Sequence, residues 1–134
     1  MSTRRDTALV ARLSRYASAV EIGVGRRPGV AGELANAGVS VAATDVVDRD
    51  VPPGVTFVRD DVVTASERAN PGAVYDVDLL YGLNLPPELH RPALSVAGVV
   101  DADFLFTTLG YDDPVVPCSM ESLPGRETLY VASE

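Results

Sequence analysis

From residue 20 to about residue 108 the chain alternates short apolar runs with stretches of helical spacing. Few folds satisfy that order. Parallel strands need long crossover connections, usually helical, and these crossovers are right-handed. The alternation predicts a Rossmann-like α/β fold: a doubly wound, mainly parallel sheet in the order 3-2-1-4-5, with helices on both faces and a C-terminal edge strand. The strands are expected at 20–24, 39–44, 55–59, 77–81 and 102–108, and the edge strand at 128–132. Leu9, Val10, Leu13, Tyr16 and Ala17 predict an N-terminal helix over about 7–18, with Asp6 able to cap it. Val30, Leu34 and Ala37 mark a second helix that Gly38 stops, and Asn70-Pro71-Gly72 closes a short one at 65–69. Pro86 and Pro87 open a further helix that runs to about residue 99, and 110–120 reads as loop.

The 134 residues suit one domain, with a ligand-binding core at 20–108 and a C-terminal loop and edge strand at 109–134. No apolar run approaches the roughly 20 residues of a membrane-spanning helix, and no signal-peptide core follows Met1. Cys118 is the single cysteine, which fits a reducing cytoplasm, and no metal-ligand spacing occurs. All eleven basic residues are arginine, and the net charge is −8. Such an acidic, lysine-free composition is expected of a salt-loving archaeal cytoplasm, although a GC-rich genome also replaces lysine by arginine. It argues against a nucleic-acid partner, because phosphate binding needs a basic footprint.

In doubly wound sheets, ligands bind beyond the carboxyl ends of the strands. The first strand runs into Glu21-Ile22-Gly23-Val24-Gly25-Arg26-Arg27-Pro28-Gly29. Gly23 and Gly25 let the backbone turn sharply and let a ligand approach without a Cβ in the way. The following helix supplies free N–H groups and a positive dipole end. A carboxylate in a strand otherwise made of Val20, Ile22 and Val24 needs a reason, which makes Glu21 a functional candidate. Asp45 ends the second strand, twenty residues after Gly25, where it can accept from two ribose hydroxyls. Asp60-Asp61 ends the third, where a carboxylate can accept from the exocyclic amine of adenine.

These residues resemble class I S-adenosylmethionine-dependent methyltransferases. The family's first loop is Glu/Asp-x-Gly-x-Gly-x-Gly, matched in phase by Glu21, Gly23 and Gly25, with Arg27 in the last glycine's place. The resemblance covers residues 18–108 and implies a ribose contact at Asp45, an adenine contact at Asp61, and S-adenosylmethionine as cofactor. It also implies that Asp78, Tyr81 and Asn84, in or just after the fourth strand, lie on the substrate side. More narrowly, 23–29 and 83–89 are similar to an uncharacterised archaeal family of short methyltransferase-like proteins. Asn84-Leu85-Pro86-Pro87 departs from the Asn-Pro-Pro-aromatic motif of amine methylators at Leu85 and Glu88.

Three functions are open at this point. One is a small methyltransferase on an unknown acceptor. A second is a non-catalytic adenosyl-ligand sensor or partner subunit. The third is an NAD-binding oxidoreductase-like domain, disfavoured because the third glycine of that fingerprint would fall at Pro28. Little chain remains for a substrate domain, so few residues, a homo-oligomer or a partner chain would complete the site. Structural roles compete throughout. Glu21 could pair with an arginine in the strand. Arg26 and Arg27 could face solvent or hold a ligand carboxylate. His90 is expected on a helix surface, solvated, and Cys118 is expected to be inert.

Overall fold

A computed structural model describes residues 4–133. Seven strands form one sheet: β1 (Ser18–Ile22), β2 (Ser40–Asp45), β3 (Val55–Arg59), β4 (Leu79–Gly82), β5 (Asp103–Phe106), β6 (Cys118–Leu123) and β7 (Glu127–Ala132). Their order is β3-β2-β1-β4-β5-β7-β6. The first five run parallel, and β7 is antiparallel to both β5 and β6. This is the doubly wound Rossmann-like order 3-2-1-4-5, continued by an antiparallel hairpin.

Strand alternation sends successive side chains to opposite faces, and each face is covered by its own helices. Ala19, Leu79, Tyr81, Leu105 and Leu129 pack beneath Leu9 and Leu13 of α1 (Arg4–Leu13) and Val30 and Leu34 of α2 (Gly29–Asn36). Val20, Ile22, Leu80, Phe104 and Phe106 pack on the other face, against Val62 and Ala65 of α3 (Val62–Glu67) and Ala93, Val96 and Ala97 of α4 (His90–Val100). Asp61 caps α3 by accepting the Val63 N–H at 2.9 Å.

Several expectations are corrected. The N-terminal helix spans Arg4–Leu13, so Asp6 lies inside its first turn instead of ahead of it. The short helix begins at Val62, where the Asp61 cap starts it, rather than near residue 65. The segment expected to be loop through Met120 already enters β6 at Cys118. β7 is consequently the inner strand of a hairpin, and β6 forms the edge. That hairpin is docked on α1 near its turn. Arg12 of α1 meets Glu121 of β6 through two hydrogen bonds, at 2.8 and 3.1 Å. At its turn, Gly125 (φ +86°) approaches Arg5 so closely that a Cβ would lie 2.9 Å from the Arg5 backbone nitrogen.

His90 is fully buried, not solvated. Its Nε2 is 2.9 Å from the Leu85 carbonyl and its Nδ1 accepts the Val115 N–H at 3.3 Å, while the ring lies against Phe106 at a centroid distance of 4.4 Å. Acceptance at Nδ1 leaves Nε2 as the donor, which defines the tautomer. The imidazole ties the start of α4 to the long segment between β5 and β6.

Candidate functional site

A cavity of about 450 Å³ opens at the carboxyl ends of β1, β4 and β5. One wall is the loop between β1 and α2, with Glu21, Gly23, Gly25, Arg26 and Arg27. Leu83 and Asn84 after β4 and Thr107 after β5 form its floor. Glu127 of β7 and Arg5, Asp6 and Leu9 of α1 close the far side.

The glycine turn is built as its residue types predict. Gly23 has φ +69° and Gly25 φ +62°, the left-handed region that side chains disfavour. The space a Cβ would take at Gly23 is open on the cavity side. Arg26 and Arg27 are exposed on the rim. Across the cavity floor, Asn84 has φ +50°, and its N–H donates to Thr107 Oγ1 at 2.8 Å.

Glu21 projects to the α1–α2 face one rung above Ala19 and is only 2% exposed. Among the described residues no arginine pairs with it; the Tyr81 hydroxyl donates to its Oε1 at 2.8 Å. Burial dominates and pushes its carboxyl up to about 8, with Asp45 adding repulsion against the pull of Tyr81. Tyr81 is itself raised, first by burial and then by Glu21. A neutral buried carboxyl on a cavity wall is a latent anion, which ionises readily when a cation arrives beside it.

The structure does not bring all the sequence candidates together. Glu21, Gly23, Gly25 and Asn84 line the cavity. Tyr81 stands behind Glu21 as its hydrogen-bond donor. Asp45 is not on the wall. Its Oδ2 accepts the Gly25 N–H at 2.8 Å and Arg49 Nε at 3.2 Å, and its Oδ1 accepts the Val46 N–H at 2.7 Å. Burial works against its charge, but the Gly25 and Val46 N–H groups and Arg49 outweigh that and hold the carboxyl below its usual range. As it stands, Asp45 clamps the glycine turn. Asp61 sits at the end of β3 with one oxygen committed to the α3 cap.

Asp78 leaves the site altogether. It precedes β4, and its N–H donates to Ser18 at the start of β1 while its carbonyl accepts from Asp103 at the start of β5. All three are at the amino ends of their strands, the end of the sheet away from the cavity. The expected strand began at residue 77, two residues before the observed start at Leu79, which placed Asp78 inside it.

Arg5, Thr107 and Glu127 escaped sequence reasoning. Glu127 is 9% exposed and shares a face with Leu129. That signal, an acid on a buried stripe, is the one that singled out Glu21. Arg5 Nη1 lies 3.5 Å from Glu127 Oε2. Burial raises the Glu127 carboxyl, against opposing pulls from Arg5 and from a Thr107 hydroxyl hydrogen bond.

Comparisons with known proteins agree on fold and kin. A family model described as "Uncharacterised protein family (UPF0146)" matches residues 5–134. A UPF0146 protein of Halobacterium salinarum is 44% identical over 127 residues, covering 94% of this chain and 95% of that one. Among solved structures, the S-adenosylmethionine-dependent methyltransferase SibL in its apo form matches 96% of this chain and 54% of its own, with a TM-score of 0.64 and 14% identity. The 1,6-didemethyltoxoflavin-N1-methyltransferase of Burkholderia thailandensis, with bound S-adenosylhomocysteine, matches 96% of this chain with a TM-score of 0.53 and 21% identity. The chain spans only 60% of that enzyme's length. At these identities the structural likeness speaks for the fold alone.

Proposed function

We propose that this chain, which belongs to the uncharacterised protein family UPF0146, binds S-adenosylmethionine in the cavity beside its glycine turn and transfers the methyl group to a small acceptor. The observation that carries this reading is Glu21. A buried carboxyl, raised to about 8, faces a cavity next to two exposed arginines. The amino-acid end of S-adenosylmethionine is a zwitterion adjoining a sulfonium. Glu21 ionises beside the cationic groups, and Arg26 or Arg27 takes the carboxylate. Gly23 and Gly25 leave room for the ligand backbone to cross the turn.

The adenosine half extends from the turn towards β2 and β3. Asp45 meets the ribose there once Arg49 gives up its place on Oδ2. Val46, 57% exposed and next in sequence, offers apolar surface to the base, and Asp61 offers its uncommitted oxygen to the exocyclic amine. The bound cofactor would supply an electrophilic methyl group. The protein's own part is to align, to exclude water and to place charge.

The test is a thermal shift in molar potassium chloride with S-adenosylmethionine, S-adenosylhomocysteine and NAD. A bound ligand stabilises by mass action, by about 2.7 kcal/mol at a hundredfold excess over Kd. The melting temperature is expected to rise with both adenosyl sulfur compounds, and the Glu21→Gln chain is expected to lose most of the response to S-adenosylmethionine. A rise with NAD alone would replace this reading with the oxidoreductase-like one. Binding without turnover on any acceptor would leave a sensor.

A further inference from the structure

The proposed cofactor occupies only one end of the cavity. Glu21, Tyr81, Thr107 and Glu127 all point to the same face of the sheet, on β1, on β4, just past β5 and on β7, and they make a polar row above the apolar α1–α2 core. β1 and β7 are three strand positions apart, about 14 Å at the usual spacing. That is room for the methionine portion of the cofactor followed by a second small molecule. The hairpin end has a charge set of its own. Glu127 is held by the Thr107 hydroxyl and by Arg5, and Thr107 is in turn fixed by the Asn84 N–H. Among the described residues Arg5 makes one long ion pair, at 3.5 Å, and its side chain remains 51% exposed, which leaves donors of its guanidinium for a ligand.

Resting on the adenosyl reading above, we infer that this end is the acceptor subsite and that it takes a small amino acid, with Arg5 on the carboxylate and Glu127 on the ammonium. Both charges are needed to choose this class. A plain alcohol offers Glu127 no cation, and a plain amine leaves the guanidinium unmatched. Glu127 then has a chemical task. It accepts one proton from the ammonium, which frees the nitrogen lone pair. That pair forms the N–C bond to the methyl carbon as the C–S bond breaks with its electrons on sulfur. The products are the N-methylated ammonium, the neutral thioether and a protonated Glu127, which returns its proton to water. Burial of Glu127 favours this by raising its basicity. Arg5 and Asp6 of α1 are the charged groups facing it, and Arg5 works in the opposite sense.

The experiment has two readouts. Glycine, β-alanine and γ-aminobutyrate are titrated calorimetrically into the protein saturated with S-adenosylhomocysteine, with ethanolamine and propionate as single-charge controls. The same compounds are assayed for methyl transfer from S-adenosylmethionine. At least one amino acid is expected to bind and turn over, and both controls to fail. Glu127→Gln is expected to cut turnover at least tenfold while S-adenosylhomocysteine affinity stays unchanged. Arg5→Met, at an exposed side chain, is expected to raise KM for the amino acid more than it lowers kcat. If S-adenosylhomocysteine binds and no amino acid does, the acceptor assignment is overturned and the adenosyl reading stands. If Glu127→Gln weakens S-adenosylhomocysteine as much as Glu21→Gln does, Glu127 belongs to the cofactor and the assignment also falls. If S-adenosylhomocysteine does not bind, both fall together.

Discussion

The Tyr81 hydroxyl donates to Glu21 Oε1 at 2.8 Å across a register pair of β1 and β4, in a setting where neither side chain is more than 2% exposed. An acid so placed makes folding depend on pH. In the unfolded chain Glu21 titrates near 4.5, whereas in the fold its value is about 8. Between those values the folded state holds a proton that the unfolded state has lost, so this group's contribution to stability is complete below pH 4.5 and declines up to pH 8. The slope from this one group approaches 1.4 kcal/mol per pH unit, on the order of the linkage limit. Asp45 and Asp60 are shifted downward, so their contribution is retained at neutral pH and lost in acid. Urea unfolding of wild type and Glu21→Gln at pH 5, 6, 7 and 8 separates these effects. The variant is expected to lose the decline, and parallel curves would show that Glu21 ionises normally.

Asp45 gives a second prediction with two arms. Its carboxylate satisfies two backbone N–H groups of the ligand-side turns, so Asp45→Ala leaves the Gly25 and Val46 donors without their charged acceptor. The expected loss is about 1–3 kcal/mol, the cost of orphaned donors, read by chemical denaturation. Arg49→Ala acts in the opposite direction on ligand binding. The Arg49–Asp45 pair has one partner 26% exposed and is an i,i+4 contact, worth up to ~1 kcal/mol. Removing it frees a lone pair on Oδ2 for a ribose hydroxyl. S-adenosylhomocysteine is expected to bind up to about fivefold tighter. Weaker binding to Arg49→Ala would mean that the arginine itself touches the ligand.

The different fates of Glu21 and Asp45 show what the sequence alone makes legible. Acids on apolar strands are visible in sequence because burying a carboxylate is expensive, and Glu21 stood out for that reason. The parallel order was legible too, because β1, β2, β4 and β5 are buried and their apolar runs are nearly continuous. β6 was not. Cys118-Ser119-Met120-Glu121 carries no β-branched residue and joins the sheet as an edge strand through β7, so nothing in its pattern marks a strand. With β6 unseen, the hairpin turn was unseen, and so was the approach of Arg5 to Glu127 across 122 positions of sequence. Asp45 shows a different limit. Its place at a strand end was readable, but the direction of its side chain depends on Gly25 and Arg49, which only the folded loop brings together.

Gly125 tests whether the hairpin holds α1 over the cavity. Its φ of +86° already disfavours a side chain, and a Cβ would sit 2.9 Å from Arg5 N and 3.0 Å from Arg5 Cα. Both contacts are backbone, so neither can swing aside. Gly125→Ala is expected to cost about 1–3 kcal/mol through strain and displacement of the helix start. Hydrogen exchange should show the loss concentrated in α1 and the β6–β7 turn. Unchanged protection there would mean that the turn does not hold α1, which is then kept in place by the packing of Leu9 and Leu13 and by the Arg12–Glu121 pair.

His90 makes the last prediction, because its two nitrogens face opposite demands. Nδ1 accepts from the Val115 N–H while Nε2 meets the Leu85 carbonyl. Both contacts are made at once only in the tautomer that carries its proton on Nε2, which donates to Leu85 while Nδ1 accepts from Val115. Replacing His90 by Ala removes both bonds and opens a void beside Phe106, where the ring centroids are now 4.4 Å apart. The expected destabilisation is about 2–4 kcal/mol, combining an unsatisfied Leu85 carbonyl with lost packing. His90→Gln keeps a donor within reach of Leu85 and should recover part of that. Protease nicking between β5 and β6 gives the local readout, since Val115 is the anchor that fails in both variants. Faster nicking of His90→Ala with little change in global unfolding would place the loss in that segment, whereas a purely global loss would make His90 a core residue with no latch on the connection.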